Sequence, residues 1–372
     1  MKRQFLVAIL AVLMTGCAKH EASGPVVKIG SVAPLTGPQS HLGKDNDNGV
    51  RLAAEEMNAE GLTIGGKNYT VEVESEDDQA DPRTATIVAQ KLVDEGVKGV
   101  IGHFNSGTSI PASKIYSDAG IPQISPSATA TAYTHQGFKT AFRVVTNDSQ
   151  QGDALAKFAI GNLHAKSIAI IDDRTAYGQG IADGFAKDVK ALGADVVARE
   201  YTSDHATDFT AILTSIKGKN PDLVFYGGMD AQAGPMIKQL RNLGMKMIFL
   251  GADGSKSPEF IKLAGPSAEG AYASAPGMPL SKMPGGPDFV RRFGEKYGRI
   301  QLYSPYSYDA TMTLVDAMKQ AGSIDPAKYL PFLAKIRHEG VTGTISFDKN
   351  GDIMHGAVTL FQVKGGNWMA IP

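Results

Sequence analysis

The sequence predicts an α/β protein built from two doubly wound parallel sheets, and three observations predict it. Short apolar runs alternate with segments of helical spacing from Val26 almost to the C-terminus, the order that produces parallel strands with covering helices. The chain of 372 residues is too long for one core of about 150 residues, so two such units are expected. Glycines, small hydroxyls and acids gather directly behind the strands, at the edge where parallel sheets hold ligands.

The first series opens with VKIGSVAPL (27–35) as a strand and DNGVRLAAEEMNAEG (47–61) as a helix stopped by Gly61. The strand YTVEVESEDD leads into DPRTATIVAQKLVDEG. There Asp81 is placed to cap a helix, and Pro82 takes its first position, where a missing N–H is harmless. VKGVIGHF, SIPASKIYSDAG and IPQISPS add a strand, a helix beginning near Ser109 to Pro111, and another strand.

The second series follows FRVVTNDSQQG (142–152). It runs helix GDALAKFAIGNL, strand KSIAIIDD, helix GIADGFAKDVKALG, strand ADVVAREY, helix DFTAILTSIKGK, strand DLVFYGG, helix AGPMIKQLRNLG and strand MIFLGAD. GAYASAPGMPLSKMPGGP (270–287) is dense in Pro and Gly and reads as a crossing segment with a loop. Helices DFVRRFGEKYG, SYDATMTLVDAMKQAG and AKYLPFLAKIRH follow. TGTISFDKNGDI and GAVTLFQVKGGNWMAI read as closing strands with a turn at DKNGD. No short-period repeat is visible, which argues against a solenoid.

The charge balance limits the partners. The 37 basic residues nearly cancel the 38 acidic ones, which gives no nucleic-acid surface and points to a small uncharged or zwitterionic partner. The first segment, MKRQFLVAILAVLMTGC (1–17), has Lys2 and Arg3, an apolar stretch, small residues and then Cys17, the pattern of an export signal. Its apolar stretch of about ten residues falls short of the twenty or so that span a bilayer. Cys17 is the sole cysteine, so an internal disulfide is excluded. Residues Leu13 to Cys17 resemble a bacterial lipobox, which implies lipidation of Cys17, and AKHEASGP (18–25) reads as a tether.

Catalytic signatures are missing or out of context. Gly178, Gly180 and Gly184 in YGQGIADG are spaced too widely for a dinucleotide fingerprint and suit a helix start. No phosphate loop and no Gly-x-Ser-x-Gly elbow occurs, and the eight histidines are scattered, His338 and His355 included. The reading is of a binding protein and not an enzyme, with no cofactor or metal.

GHFNSGTS (102–109), SPSATAT (125–131), DDRTAYG (172–178), YGGMD (226–230) and GADGS (251–255) each follow a predicted strand. Small hydroxyl residues let a ligand approach the backbone, and their O–H groups with free N–H groups at a helix start hold a carboxylate. Ser125, Ser127, Thr129 and Thr131, on alternate positions, fit that use.

Taken together, EDDQADP, VIGHFNS, ISPSATAT, YGQG, FYGG and SAEG, in that order, closely resemble motifs of the periplasmic binding proteins for leucine, isoleucine and valine, the receptors of branched-chain amino-acid ABC importers. The resemblance runs from Val26 to near the C-terminus. It implies a type I periplasmic-binding fold and a clamp for a zwitterion. Ser106 and Thr129 would hold the α-carboxylate. Ser127, through its backbone carbonyl, and Thr129 would hold the α-ammonium. Asp253 would supply the countercharge from the other lobe, and Tyr177 would close on the ligand. Family aromatic positions fall on Leu42, Met229 and Tyr303, and Asp253 stands where the best-known members carry Glu.

The resemblance also implies crossings near 146–149, 275–279 and 345–356. Residues 26–147 with 277–350 would form one lobe, and 148–276 with 351–372 the other. The expected function is capture of an aliphatic amino acid outside the cytoplasm and delivery to a membrane permease, by a monomer touching the membrane only through its N-terminal lipid. A ligand-sensing receptor domain is the second reading, and a hydrolase or dehydrogenase on a doubly wound sheet the third.

Overall fold

The computed structural model describes residues 24–371; the segment read as an export signal, Cys17 and most of the expected tether lie outside them. The chain opens with β1 (Val26–Ala33), α1 (Ser40–Glu60), β2 (Leu62–Ile64), β3 (Lys67–Asp77), α2 (Pro82–Asp94), β4 (Val100–Gly102), α3 (Ser106–Asp118), β5 (Gln123–Ser125) and β6 (Ala141–Arg143). Their sheet has the order β2-β3-β1-β4-β5-β6, parallel except for the β2–β3 pair.

The second half comprises α4 (Asp148–Lys157), β7 (Ser167–Asp172), α5 (Ala176–Ala191), β8 (Asp195–Tyr201), α6 (Thr210–Lys217), β9 (Leu223–Gly227), α7 (Asp230–Asn242), β10 (Ile248–Gly251), α8 (Pro258–Ala264) and β11 (Tyr272–Pro276). After it come α9 (Gly286–Tyr297), α10 (Ser304–Ala321), α11 (Pro326–Leu333), β12 (His338–Glu339), β13 (Thr344–Ile345), β14 (Val358–Lys364) and β15 (Asn367–Ala370). The second sheet runs β15-β14-β11-β10-β9-β7-β8, with β14 and β15 antiparallel at its edge. Helix α10 returns to the first half, along α1 and against β4 and β5.

Both sheets share one winding. The parallel strands β3-β1-β4-β5-β6 and β8-β7-β9-β10-β11 each follow the doubly wound order 2-1-3-4-5. The order reverses between β1 and β4 and again between β7 and β9, and such reversals open a crevice at the strand C-termini. Central strands sit between helix layers, so β9 (LVFYG) is buried at all five positions. Phe225 on it stacks on Phe185 of α5 at 4.1 Å between ring centroids.

The chain passes between the halves after β6, after β11 and after β13. The first and third passages are tied together by an ion pair. Arg143, with no exposed surface, donates from Nε to Asp352 Oδ1 at 2.6 Å and from its other nitrogens to the carbonyls of Ala128 and Ala130 and to Thr134 Oγ1. Asp352 also accepts from Thr134 and from Asn147. Burial pushes its carboxyl up, but Arg143 and these donors outweigh it and hold the group below the usual carboxylate range.

Three sequence expectations need correction. The segment 270–287 holds strand β11, whose small residues fit between β10 and β14. Helix α3 starts at Ser106 and carries Pro111 inside it, at the loss of one i→i−4 bond. Helix α1 starts at Ser40, seven residues before Asp47, because its polar early turns are buried in specific bonds. Asp45 accepts from the backbone N–H groups of Gln301, Leu302, Tyr303 and Ser304, and Asp47 accepts from Ser31, Ser75 and Arg51.

Candidate ligand-binding cleft

A cavity of only about 20 Å³ lies where the strand C-termini of the two halves meet. Phe104, Asn105, Ser106, Ser127 and Tyr303 line it from the first half, and Tyr177, Met229, Asp253 and Gly254 from the second. Small-molecule sites commonly span about 300–1,000 Å³, so the two walls stand almost in contact here and must part to admit even a compact ligand. A far larger groove of about 970 Å³ runs beside β14, but it opens broadly to solvent and its charged lining, Lys157, Lys256 and Lys282, is entirely cationic.

The first wall descends from the loop after β4. Asn105 takes the extended N-cap position of α3 without a side-chain bond to the helix, which leaves the first N–H groups, those of Ser106 and Gly107, uncapped. Ser106 Oγ accepts from the N–H of Ala130 at 3.1 Å. The alternating hydroxyls divide their work. Ser125 donates to the His103 carbonyl and accepts from Ala128 N–H, so it pins the two loops together. Ser127 donates to the Phe104 carbonyl at 2.8 Å and faces the cavity. Thr129 is fully buried beside it, and its hydroxyl faces the Asp148 carboxylate without a well-aligned hydrogen bond.

Asp253 is the centre of the second wall. It follows β10, is 2% exposed, and accepts from Tyr177 Oη at 2.7 Å and from Tyr303 Oη at 2.6 Å. Tyr177 comes from the first turn of α5, whose start is capped by Thr175 accepting from Gly178 N–H. Tyr303 comes from the other half, held at the head of α10 by its N–H bond to Asp45. The acid therefore joins phenols from both halves. Burial pushes the Asp253 carboxyl up despite the phenols and Gln151. Burial, then the charge of Asp253, pushes both phenols well above their ordinary value, so they stay donors. Gln151 braces the site by accepting from Asp253 N–H at 3.0 Å and from Ser274 Oγ at 2.6 Å.

Of the residues singled out in the sequence, Ser106, Ser127, Tyr177, Met229, Asp253 and Tyr303 line the cavity. Two do not. Thr129 lies behind the lining, and Leu42 is buried in α1, in the hydrophobic cluster that also holds Tyr177, Met229 and Tyr303. Sequence reading missed Phe104, Asn105 and Gly254. Phe104 meets Tyr303 edge-on at 5.3 Å. A Cβ on Gly254 would sit 2.8 Å from Met229 Sδ and 2.9 Å from a Tyr177 ring carbon, so only glycine fits. Its place in GADGS was a signal that could have found it. No such signal marks His41, whose Nε2 reaches Asp230 Oδ2 across the halves at 2.7 Å.

The fold and this cleft match known proteins. The sequence model for periplasmic binding proteins matches residues 26–367. This chain belongs to that family. A Leu/Ile/Val-binding protein homolog of Brucella suis is 36% identical over 88% of this chain and 87% of its own length. Among solved structures, a leucine-binding protein, LivK, of Thermotoga maritima superposes with a TM-score of 0.87 at 30% identity, covering 93% of this chain and 98% of that one. LivJ of Streptococcus pneumoniae, a branched-chain amino-acid transporter substrate-binding protein in complex with isoleucine, gives 0.85 at 29% identity with the same coverage. No described helix is long and apolar enough to cross a membrane, and no described cluster of three or more His, Cys, Asp or Glu could hold a metal ion.

Proposed function

We propose that this protein is an extracytoplasmic receptor that captures an aliphatic amino acid, of the branched-chain type, between its two halves and delivers it to the permease of an ABC importer. One observation carries the reading: a buried acid, Asp253, joins phenols from both halves at the edge of a small cavity set between two strand-order reversals. An ammonium entering that cavity meets a desolvated countercharge, and the uncapped start of α3 with Ser106 offers N–H and O–H donors to a carboxylate. The branched-chain ligands named for the similar proteins support the side-chain class.

In this reading residues 26–147 with 277–350 form one lobe, and 148–276 with 351–372 the other. The first lobe loads the ligand, and Asp253 and Tyr177 engage on closure, which the ligand favours because it touches both lobes only when they are closed. Residues 1–17 direct export, and Cys17 receives the lipid that keeps a monomeric receptor near its permease. Binding without turnover is the expected activity.

A thermal-shift screen of the mature protein against all twenty amino acids, followed by titration calorimetry, tests this. Leucine, isoleucine or valine should raise the melting temperature in proportion to the logarithm of ligand excess over Kd. Absence of any shift with every amino acid would overturn it.

A further inference from the structure

Five residues beyond Arg143, the chain carries a buried carboxylate whose environment differs from that of Asp352. Asp148 is the first residue of α4 and is 3% exposed. The Thr129 hydroxyl is the one side-chain donor at its carboxylate, and their contact is not a well-aligned hydrogen bond. Its location is set on three sides. Its N–H donates to the Thr129 carbonyl at 2.8 Å. Its Oδ2 lies against α5, 2.6 Å from where a Cβ on Gly180 would stand, one turn beyond Tyr177. One turn along its own helix, Gln151 binds the backbone of Asp253. The carboxylate thus sits behind the cleft wall, facing the Thr129 hydroxyl, which has no other partner among the described residues.

A buried acid whose one neighbouring side-chain donor is a single hydroxyl keeps most of its desolvation cost, which a cation bound in the adjoining cavity would offset. The charged groups bearing on Asp148 are Asp253, from the turn after β10, and Arg143, from β6. Arg143 is committed to Asp352. The α5 positions against it are Gly180 and Gly184, which carry no charge. The missing charge is therefore a cation.

Building on the amino-acid reading above, we infer that Asp148 is a second acidic determinant of the cleft, acting through Thr129 on the ligand's ammonium. The ionised Asp148 accepts the one O–H of Thr129. The threonine's lone pairs are then turned toward the cavity, where they accept from the ammonium that Asp253 neutralises. Thr129 O–H is consequently not available to the ligand carboxylate, which is left to Ser106 and the α3 amides. Asp148 is a positioning residue, and it makes the cleft selective for an amino group over a neutral hydroxyl at the same carbon. Burial and the charge of Asp253 push its carboxyl up to about 7, with Thr129 and Arg143 opposing, so an arriving ammonium displaces a proton near neutral pH.

The test is calorimetry with leucine and with its 2-hydroxy analogue, on the native protein and on Asp148→Asn. The variant should lose about tenfold or more in affinity for leucine, while the hydroxy acid changes by less than about threefold, so the preference for the amino group falls. An equal loss for both ligands, or an unchanged ratio, overturns the inference while leaving the amino-acid reading standing. Failure of the native protein to bind any amino acid overturns both. Should Asp148→Asn not fold, leucine binding to His41→Gln in buffers of differing ionisation heat at pH 7 serves instead, that change removing the imidazole which closure would charge. A net proton release on binding is expected, and zero release or uptake overturns the inference.

Discussion

Asp352 and Asp148 both lie buried at the passage between the two halves, and they are opposites. Asp352 meets Arg143, Thr134 and Asn147, and its carboxyl is held below the usual range. Asp148 has only the Thr129 hydroxyl beside it, and burial first, with Asp253 adding to it, pushes its carboxyl up to about 7. The first acid joins two crossing segments of the chain and stabilises the folded protein. The second is left uncompensated beside the cleft, where the folded protein bears its cost until a cation arrives. Burial alone does not say which purpose a charge serves; the completeness of its partners does.

The comparison can be broken most forcefully at Arg143. Replacing it by Met strands Asp352 in the interior and should cost about 3–5 kcal/mol of stability, read by urea unfolding. A loss below about 1 kcal/mol would show that the pair is not what joins the crossings. At the other acid the sign reverses. Asp148 binds its proton more tightly folded than unfolded, so its contribution is most favourable at low pH and is lost as pH rises from about 4 through about 7. Asp148→Asn should therefore stabilise the ligand-free protein at pH 8 relative to pH 5, by up to about 3 kcal/mol. An equal effect at both pH values would remove the contrast.

Asp253→Asn should weaken leucine binding about a hundredfold, equivalent to roughly 2–3 kcal/mol, by calorimetry at pH 7.5. His41→Gln should matter less. Burial lowers the imidazole's affinity for its proton, but the hydrogen bond and charge of Asp230 more than offset this and raise it. The His41–Asp230 contact therefore favours the closed form below about pH 6.5 and fades as pH rises through the raised value. Distance measurements between labels on the two halves should show closure shifting by about 1 kcal/mol between pH 6 and pH 8 in the native protein and not in the variant. The smallest effect is expected for Ser127→Ala, which removes one hydroxyl bond to the Phe104 carbonyl and should cost about 1 kcal/mol of stability with less than a threefold change in affinity.

Much of the site was legible because it depends on local grammar. Ser106, Ser127, Tyr177, Met229 and Asp253 all sit in short stretches directly after strands, and that position alone marks a parallel sheet's binding edge. Tyr303 came only from the resemblance, since nothing local distinguishes it before Asp45, far away in sequence, holds its backbone. Gly254 and Phe104 stood in stretches already quoted, but their roles depend on what packs against them. The early turns of α1 misled because buried polar residues break the apolar spacing by which a helix is recognised.

By itself, the order of strands, helices and strand-end residues determined that this is a doubly wound α/β protein with a binding edge on each half, because those signals are carried by neighbours a few residues apart. Only the tertiary structure decided which acids are compensated. Arg143 finds Asp352 across 209 residues of chain, while Asp148, so close to it in sequence, is turned toward Thr129 and the cleft. Partnership between buried charges is a property of folded distance, and sequence spacing carries no record of it.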